Sequence, residues 1–327
     1  MQPPGVFILS LQRIPLIATA AVCVLLYATA CLLYPGFFSL LVLKDLLADN
    51  AVLGVAAIGA TFVILSGGID LSVGAVIGCA TITMAVLIER AGMHPLIVIP
   101  LIVLAGTAFG ASMGALIHLF SLPPFLVTLA GLFFCRGLGL VISKDSVGIS
   151  HPLYTQLTSW SIPMGQGVAL PMTAVIFLVV LAVAVWISLY TSFGRNVYAI
   201  GGSESSAMLM GLPVGATKIG VYAISGLCST LAAVVSTIYT PKGWALTGTG
   251  LELDAIAAVV VGGTLLSGGV GYVAGTLLGV MIFGIIQTMI NFQNLNSWWT
   301  RIAVGLLLLG FVLLQKLIQR RDTSQSY

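Results

Sequence analysis

Few side chains in this sequence could do chemistry, so the first question is whether any are spaced to do it together. Asp70 stands in "LSGGIDLSVG", residues 65–74, inside a stretch that is otherwise apolar. A carboxyl at membrane depth is costly and is by default a candidate for a solute or proton pathway. The same residue precedes "LSVGAVIG" and could cap that helix by accepting backbone N–H bonds; the two roles are compatible. A proton relay would need a partner that the sequence does not show. Glu252 and Asp254 open the segment "GLELDAIAAVVVGG". Two residues apart, they point to different helix faces, so helix-start electrostatics explains them better than a shared cation site. Arg136 lies about two turns from its helix end and is expected to snorkel, pack or anchor. Asn50, Ser72 and Trp244 are the remaining side chains considered for a pathway.

Other chemistries find no support. His94, His118 and His151 are scattered near segment ends, and Cys23, Cys31, Cys79, Cys135 and Cys228 all fall in apolar segments without metal-ligand spacing. The cysteines read as small buried hydrophobes, and no metal site is expected. No Gly-x-x-x-x-Gly-Lys-Ser/Thr stretch occurs, so the chain binds no ATP through a P-loop. No Ser/His/Asp or Cys/His arrangement stands out, and an enzyme is not expected.

The elements that would position these residues belong to a membrane. Only 6% of the 327 residues are charged, 59% are hydrophobic, and the mean hydropathy is +1.15. Soluble domains carry about 25% charged residues; this chain has too little polar surface to cover a water-soluble globule. The net charge of +3 is no nucleic-acid signature, because the one basic cluster is the short tail "QKLIQRRD". A spanning helix needs about 20 mostly apolar residues, and apolar runs suggest ten segments. The first half holds 14–34, 51–66, 71–88, 95–119 and 122–143; the second holds 168–190, 219–240, 251–266, 270–291 and 298–317. The expected fold is therefore all-α, a single polytopic transmembrane domain over 1–327 with halves at about 14–143 and 168–317. The first helix is read as retained, since no small-residue cleavage site follows it.

Ten segments put both termini on one side. Arg13 at one end and Lys316, Arg320 and Arg321 at the other mark that side as the cytoplasm, together with the loop 191–218 that carries Arg195 and Lys218. The loop 144–167, where Lys144 stands beside Asp145, falls outside. Residues 35–50, with Lys44, Asp45 and Asp49 opposite an apolar face, read as an interfacial helix on the outer side. Trp298 and Trp299 sit where interfacial tryptophans belong. Gly106, Gly110 and Gly114 recur every four residues and line one helix face for close packing.

An internal repeat bears on Asp70. "LSGGIDLSVGAVIG" at 65–78 aligns with "LSGGVGYVAGTLLG" at 266–279, and Gly74 and Gly78 fall on Gly275 and Gly279. In each half the motif follows a segment of about 16 residues, too short to span comfortably. Paired, Gly-interrupted segments at corresponding places point to a transporter of repeated halves. Gly67, Gly68, Gly268 and Gly269 are thus either hinges beside a pathway or tight turns between ordinary helices. The inside loop "TSFGRNVYAIGGSESSAMLMGLPVGATK" holds a short helix capped by Ser203, running through Glu204, Ser205, Ser206, Ala207, Met208, Leu209 and Met210 and ended by Gly211 and Pro213. Its Met-Leu-Met knob could dock into a partner or pack on the chain's own helix ends.

The stretches "GGIDLSVGAVIG", "FGRNVYAIGGSESSAMLMGLPV" and "ELDAIAAVVVGGTLLSGGVG" resemble the permeases of ribose-type sugar-importing ABC transporters, in order and over most of the chain. Within that family "TFVILSGGIDLSVG", "ISHPLY", "GTLLSGGVG" and "NSWWTRIAVG" resemble the second permease of galactofuranose importers. Ser203 departs from the Asn usual after the loop's Gly-Gly; both residues cap helices well. The resemblance implies a bacterial inner-membrane subunit that pairs with a second, different permease. It implies an ATPase with two fused nucleotide-binding domains, which supplies the ATP and magnesium, and a periplasmic sugar-binding protein. Residues 203–211 become a coupling helix docking on the ATPase, and alternating access rearranges the helices around the two Gly-Gly motifs. Three rivals differ in kind: a permease of this type for ribose or a branched-chain amino acid, a proton-coupled transporter using Asp70 or Glu252, and a passive pore or structural subunit.

Overall fold

The computed structural model describes residues 14–165, 167–293, 295, 296 and 298–324; Arg13 and the side chains of Lys316, Arg320 and Arg321 lie outside the described residues. The first half runs α1 (Ile14–Leu33), α2 (Leu40–Asp49), α3 (Ala51–Leu65), α4 (Val73–Glu89), α5 (Pro95–Leu119) and α6 (Pro124–Ile142). After strand β1 (Val147–Gly148) come α7 (Pro152–Ser159) and the hairpin β2 (Ser161–Gly165) and β3 (Val168–Pro171). The second half runs α8 (Met172–Tyr190), α9 (Ser192–Gly202), α10 (Glu204–Leu209) and α11 (Val214–Tyr239), then β4 (Lys242–Gly243), α12 (Leu251–Val261), α13 (Val273–Phe292) and α14 (Trp298–Ser324).

Each of the ten expected segments holds a helix, but ten independent spans are not what the geometry displays. Among the described residues six helices are long and apolar enough to cross a membrane, and seven if α2 and α3, bent by 56°, form one span. Helices α4 and α12 are shorter than that, while α14 runs 27 residues, of which the apolar stretch Trp298–Leu313 has described side chains. For α4 and α12 the cause is physical: the backbone leaves the helix at 66–72 and 262–272, on either side of the repeated Gly-Gly. The loop 191–218 is also largely helical, because α9 fills its first half and α11 starts at Val214, directly after Pro213. The expected interfacial helix at 35–50 shortens to α2, capped by Ser39 accepting from the Val42 N–H at 3.2 Å.

Helix α3 is apolar on every face, and such a helix belongs inside. It is buried from Gly54 to Leu65 and is packed by α8, α11, α12 and α13, so both halves share it. The glycine stripe of α5 meets α11 as expected. A Cβ on Gly110 would strike the Tyr222 carbonyl, and one on Gly226 of α11 would strike the Gly106 carbonyl. The two helices cross with backbone nearly on backbone, the small-residue packing that replaces hydrophobic driving force in lipid.

The loop 144–167 folds back rather than dangling. β1 pairs antiparallel with β4, and Glu89 at the end of α4 accepts from both the Ser150 backbone N–H and its Oγ. Those donors hold the Glu89 carboxyl below the ordinary carboxylate range. His94 and His151 do not stay scattered. Each caps a helix that begins with proline, accepting at Nδ1 from Leu96 N–H (3.2 Å) and Leu153 N–H (3.1 Å), and their rings meet edge to face at 4.9 Å. Among the described residues no group of three potential ligands assembles.

Gly110→Ala should force α5 off α11 and cost about 1–3 kcal/mol, read as a lower melting temperature of the purified protein. Gly137→Ala, where a Cβ meets open space, should shift stability by no more than about 0.5 kcal/mol.

Candidate functional site

The two breaks in the repeat have matching backbone. Gly67 has φ +82° and Gly268, its counterpart, has φ +83°, a left-handed conformation that L side chains rarely adopt. The breaks also meet each other. The Gly269 N–H donates to the Leu65 carbonyl at 2.9 Å, and a Cβ on Gly268 would lie 2.7 Å from Gly67 N.

A third Gly-Gly pair joins them. Gly201 and Gly202 end α9, and a Cβ on Gly201 would strike the Leu65 carbonyl oxygen and Gly269 N. One on Gly269 would sit 2.6 Å from Gly202 N. Five glycines from three distant stretches, Gly67, Gly201, Gly202, Gly268 and Gly269, thus form one junction held by close backbone contact. Tyr198 of α9 adds a hydrogen bond from its hydroxyl to the Gly271 carbonyl at 3.0 Å.

Helix α10 leaves this junction directly. Ser203 caps it, its Oγ accepting from the Ser206 N–H at 3.3 Å, and Gly211 at φ +74° follows its end. Ala207 is buried against Ile200, Leu212 and Val214, while the Lys218 ammonium pairs with Glu204 at 2.6 Å. Ser205 stays on the polar outer face, its Oγ 3.2 Å from Ser203 Oγ. These contacts fix the inner side of α10 and turn the apolar knob outward. Met208, Leu209 and Met210 are exposed, Leu209 at 89%. Of the two destinations open in the sequence, packing on the chain's own helix ends is not what they adopt.

Asp70 is buried, and its role differs from a simple cap. Its Oδ1 accepts from the Ser72 N–H (2.8 Å) and Ser72 Oγ (2.6 Å), an Asx-type turn ahead of α4. Its Oδ2 accepts from Ser225 Oγ of α11 at 2.7 Å. The side chain therefore ties the first break to the long helix of the other half, with Ser72 as its nearest partner. Gly68 lies beside Tyr222, where a Cβ would be 2.5 Å from the phenol oxygen.

Trp244 stands apart, in the chain between α11 and α12. It is 40% exposed, and its backbone N–H and carbonyl pair with Thr81 Oγ1 of α4. Arg136 does not snorkel. Its guanidinium turns inward and donates to the carbonyls of Ala245 (2.5 Å) and Thr247 (3.2 Å), pinning that segment against the glycine face of α4. Glu252 faces the same place, its Oε1 accepting from the Gly250 N–H at 3.3 Å, whereas Asp254 turns to another side. Asn50 joins α2 to α3, donates from Nδ2 to the Leu46 carbonyl at 2.9 Å, and lines a cavity with Asp254. Single-sequence reading found the members of the glycine junction except Gly201 and Gly202. Those two read as an ordinary lead-in to a helix, and nothing local marks what they touch.

Asp70→Asn should cost the purified chain less than about 1.5 kcal/mol of stability, because the Ser225 hydroxyl can reverse and accept from the amide. Asp70→Leu should destabilise the purified chain by about 1–3 kcal/mol for each donor left unpartnered.

The family described as branched-chain amino acid transport system / permease component matches residues 42–312. The chain is 49% identical over 308 residues to the inner membrane ABC transporter permease protein YjfF of Escherichia coli (strain K12), covering 93% of this chain and 92% of that one. It is 38% identical over 288 residues to the ribose import permease protein RbsC of Bacillus subtilis (strain 168), covering 87% and 88%. It is 35% identical over 322 residues to the fructose import permease protein FruG of Bifidobacterium longum (strain NCC 2705), covering 97% and 94%. No solved structure matches. Membership implies an ATPase and a solute-binding protein as partners, with this chain a transport component rather than an enzyme, multi-pass in the inner membrane. A glycine junction that links two broken helices to an exposed apolar helix, on a sequence matched over nearly its whole length, makes this chain a member of the permease family of ABC importers, of the sugar-importing kind.

Proposed function

We propose that this permease imports galactofuranose by alternating access, with α10 as the coupling helix. The observation that carries the coupling assignment is the glycine junction. A displacement applied to Met208, Leu209 and Met210 reaches Gly201 and Gly202 within one short helix, and those residues touch both broken segments. Covering the exposed knob in a cleft would stabilise docking by roughly 1.5–3 kcal/mol per large apolar side chain. The ATPase, with two nucleotide-binding domains and its own ATP and magnesium, is the partner that offers such a cleft. On this reading α10 and both termini face the cytoplasm, in keeping with the arginine and lysine bias of the sequence.

ATP binding closes the ATPase, α10 moves as a lever, and the junction redistributes the two breaks between inward- and outward-open pores. The pore is shared with a second permease, here taken as a different chain, and a periplasmic protein delivers the sugar. Support for galactofuranose over ribose or fructose comes from the stretches "TFVILSGGIDLSVG", "ISHPLY" and "NSWWTRIAVG". A neutral sugar needs no buried counter-charge, in keeping with the scarcity of ionisable residues.

Changing Met208, Leu209 and Met210 together to Asp should abolish ATP-driven uptake and co-purification of the ATPase, with the melting temperature of the chain unchanged. Retained uptake would refute the coupling assignment. In membrane vesicles, unlabelled galactofuranose should compete with labelled galactofuranose better than ribose or fructose does; the reverse order would refute the assigned sugar.

A further inference from the structure

A cavity of about 310 Å³ lies among α3, α12, α13 and α14, and its lining is unusually polar for this chain. Asn50, Asp254, Gln287, Thr300 and Arg301 contribute to it, with Phe283 as an apolar wall. These residues come from four helices and from both halves, so no local segment accounts for their meeting.

Their bonding leaves capacity facing the cavity. Among the described residues the ion pairs are Lys44–Asp45 and Lys218–Glu204, so Asp254 and Arg301 line the cavity near enough to feel each other's charge but without a direct ion pair. The Arg301 guanidinium lies over the Trp298 ring, 4.8 Å from its centroid. Thr300 Oγ1 is buried with no hydrogen-bond partner among the described residues. Asn50 spends Nδ2 on the Leu46 carbonyl and keeps its Oδ1 to accept, and Gln287 Nε2 donates to Asn291 Oδ1 at 3.0 Å.

This donor and acceptor set fits a ligand without net charge, a polyol or a zwitterion, and the sugar-import reading selects the polyol. One carboxylate and one guanidinium cancel in charge, so neither an anion nor a cation is favoured. A neutral polyol presents hydroxyls that both donate and accept, which Asp254, Arg301 and the three neutral side chains can satisfy together. Its C–H face can lie on the Phe283 wall. The volume is at the small end of ligand pockets, roughly 300–1,000 Å³, and suits a monosaccharide with a few waters.

Position adds a second argument. Asn50 sits at the start of α3, whose far end, Leu65, belongs to the glycine junction roughly 22 Å away at 1.5 Å per residue. Asp254 and Gln287 lie on α12 and α13, which flank the second break. The cavity therefore sits at the opposite ends of the same helices that the junction would move, and changes at the junction would reshape it.

We propose that this cavity is a station for the neutral sugar inside the permease, with Asp254 and Arg301 holding its hydroxyls and Asn50, Gln287 and Thr300 completing the shell. The proposal rests on the sugar-import reading above. Its test uses the whole importer, both permeases and the ATPase, in proteoliposomes with the binding protein and labelled galactofuranose. Asp254→Asn and Arg301→Gln should each lower the sugar moved per ATP hydrolysed by roughly tenfold, the effect expected of a lost charge-assisted bond. Uptake unchanged, or uptake and hydrolysis falling in proportion, would overturn the station. Independently, Thr300→Cys should react with a water-soluble maleimide above the background of the five native cysteines. Sugar-loaded binding protein should slow that reaction and sugar-free binding protein should not; equal rates would also overturn it. An unsubstituted importer that accumulates no galactofuranose, ribose or fructose with ATP would overturn the sugar-import reading and the station with it, whereas accumulation with equal labelling rates would overturn the station alone.

Discussion

Close contact of main chain with main chain at the glycine junction is the constraint on which the rest of this molecule depends. Gly201 lies against the Leu65 carbonyl and Gly269 N, Gly268 against Gly67, and Gly269 against Gly202. A side chain at Gly201, Gly268 or Gly269 would collide with that backbone and could not fit without moving an element. The hydrogen bond from Gly269 N–H to the Leu65 carbonyl satisfies groups that a helix break would otherwise orphan. Irregular backbone is accommodated here because each break completes the other.

From that contact the architecture follows outward. Short α4 and α12 are consequences of the breaks, and the long α11 compensates, running the length of the bundle and packing on α3 and α5. Asp70 belongs to the same logic. Its carboxyl, shared between Ser72 and Ser225, fixes the first break to α11 so that the break has one geometry rather than many. Arg136 does the equivalent for the segment between α11 and α12, with carbonyls as its partners. The scarce charges of this chain near the breaks thus set backbone positions.

On the proposed function, the working parts lie along one mechanical line. At one end α10 offers an apolar knob on a helix whose inner face is tied down by Ala207 and the Lys218–Glu204 pair. In the middle lies the junction, and at the far ends of α3, α12 and α13 lies the polar cavity. Each piece is ordinary alone; their connection by rigid helices gives a pull at one end something to act on at the other.

Much of this was legible in the sequence. Apolar runs place a helix in every expected segment, and Ser203, Gly211 and Pro213 bound α10 through cap and breaker chemistry. The repeat at an offset of 201 residues singled out Gly67 and Gly268 before their matching φ angles were known. These are local properties, written in hydrophobic period, capping and chirality. Only tertiary structure decided which surfaces meet. That Gly201 touches Leu65, that Asp70 reaches Ser225, that Arg136 turns inward and that His94 faces His151 all depend on contacts between residues far apart in the chain. Such contacts leave no mark in local pattern, because glycine, serine and histidine are equally at home in a turn, a cap or an interface.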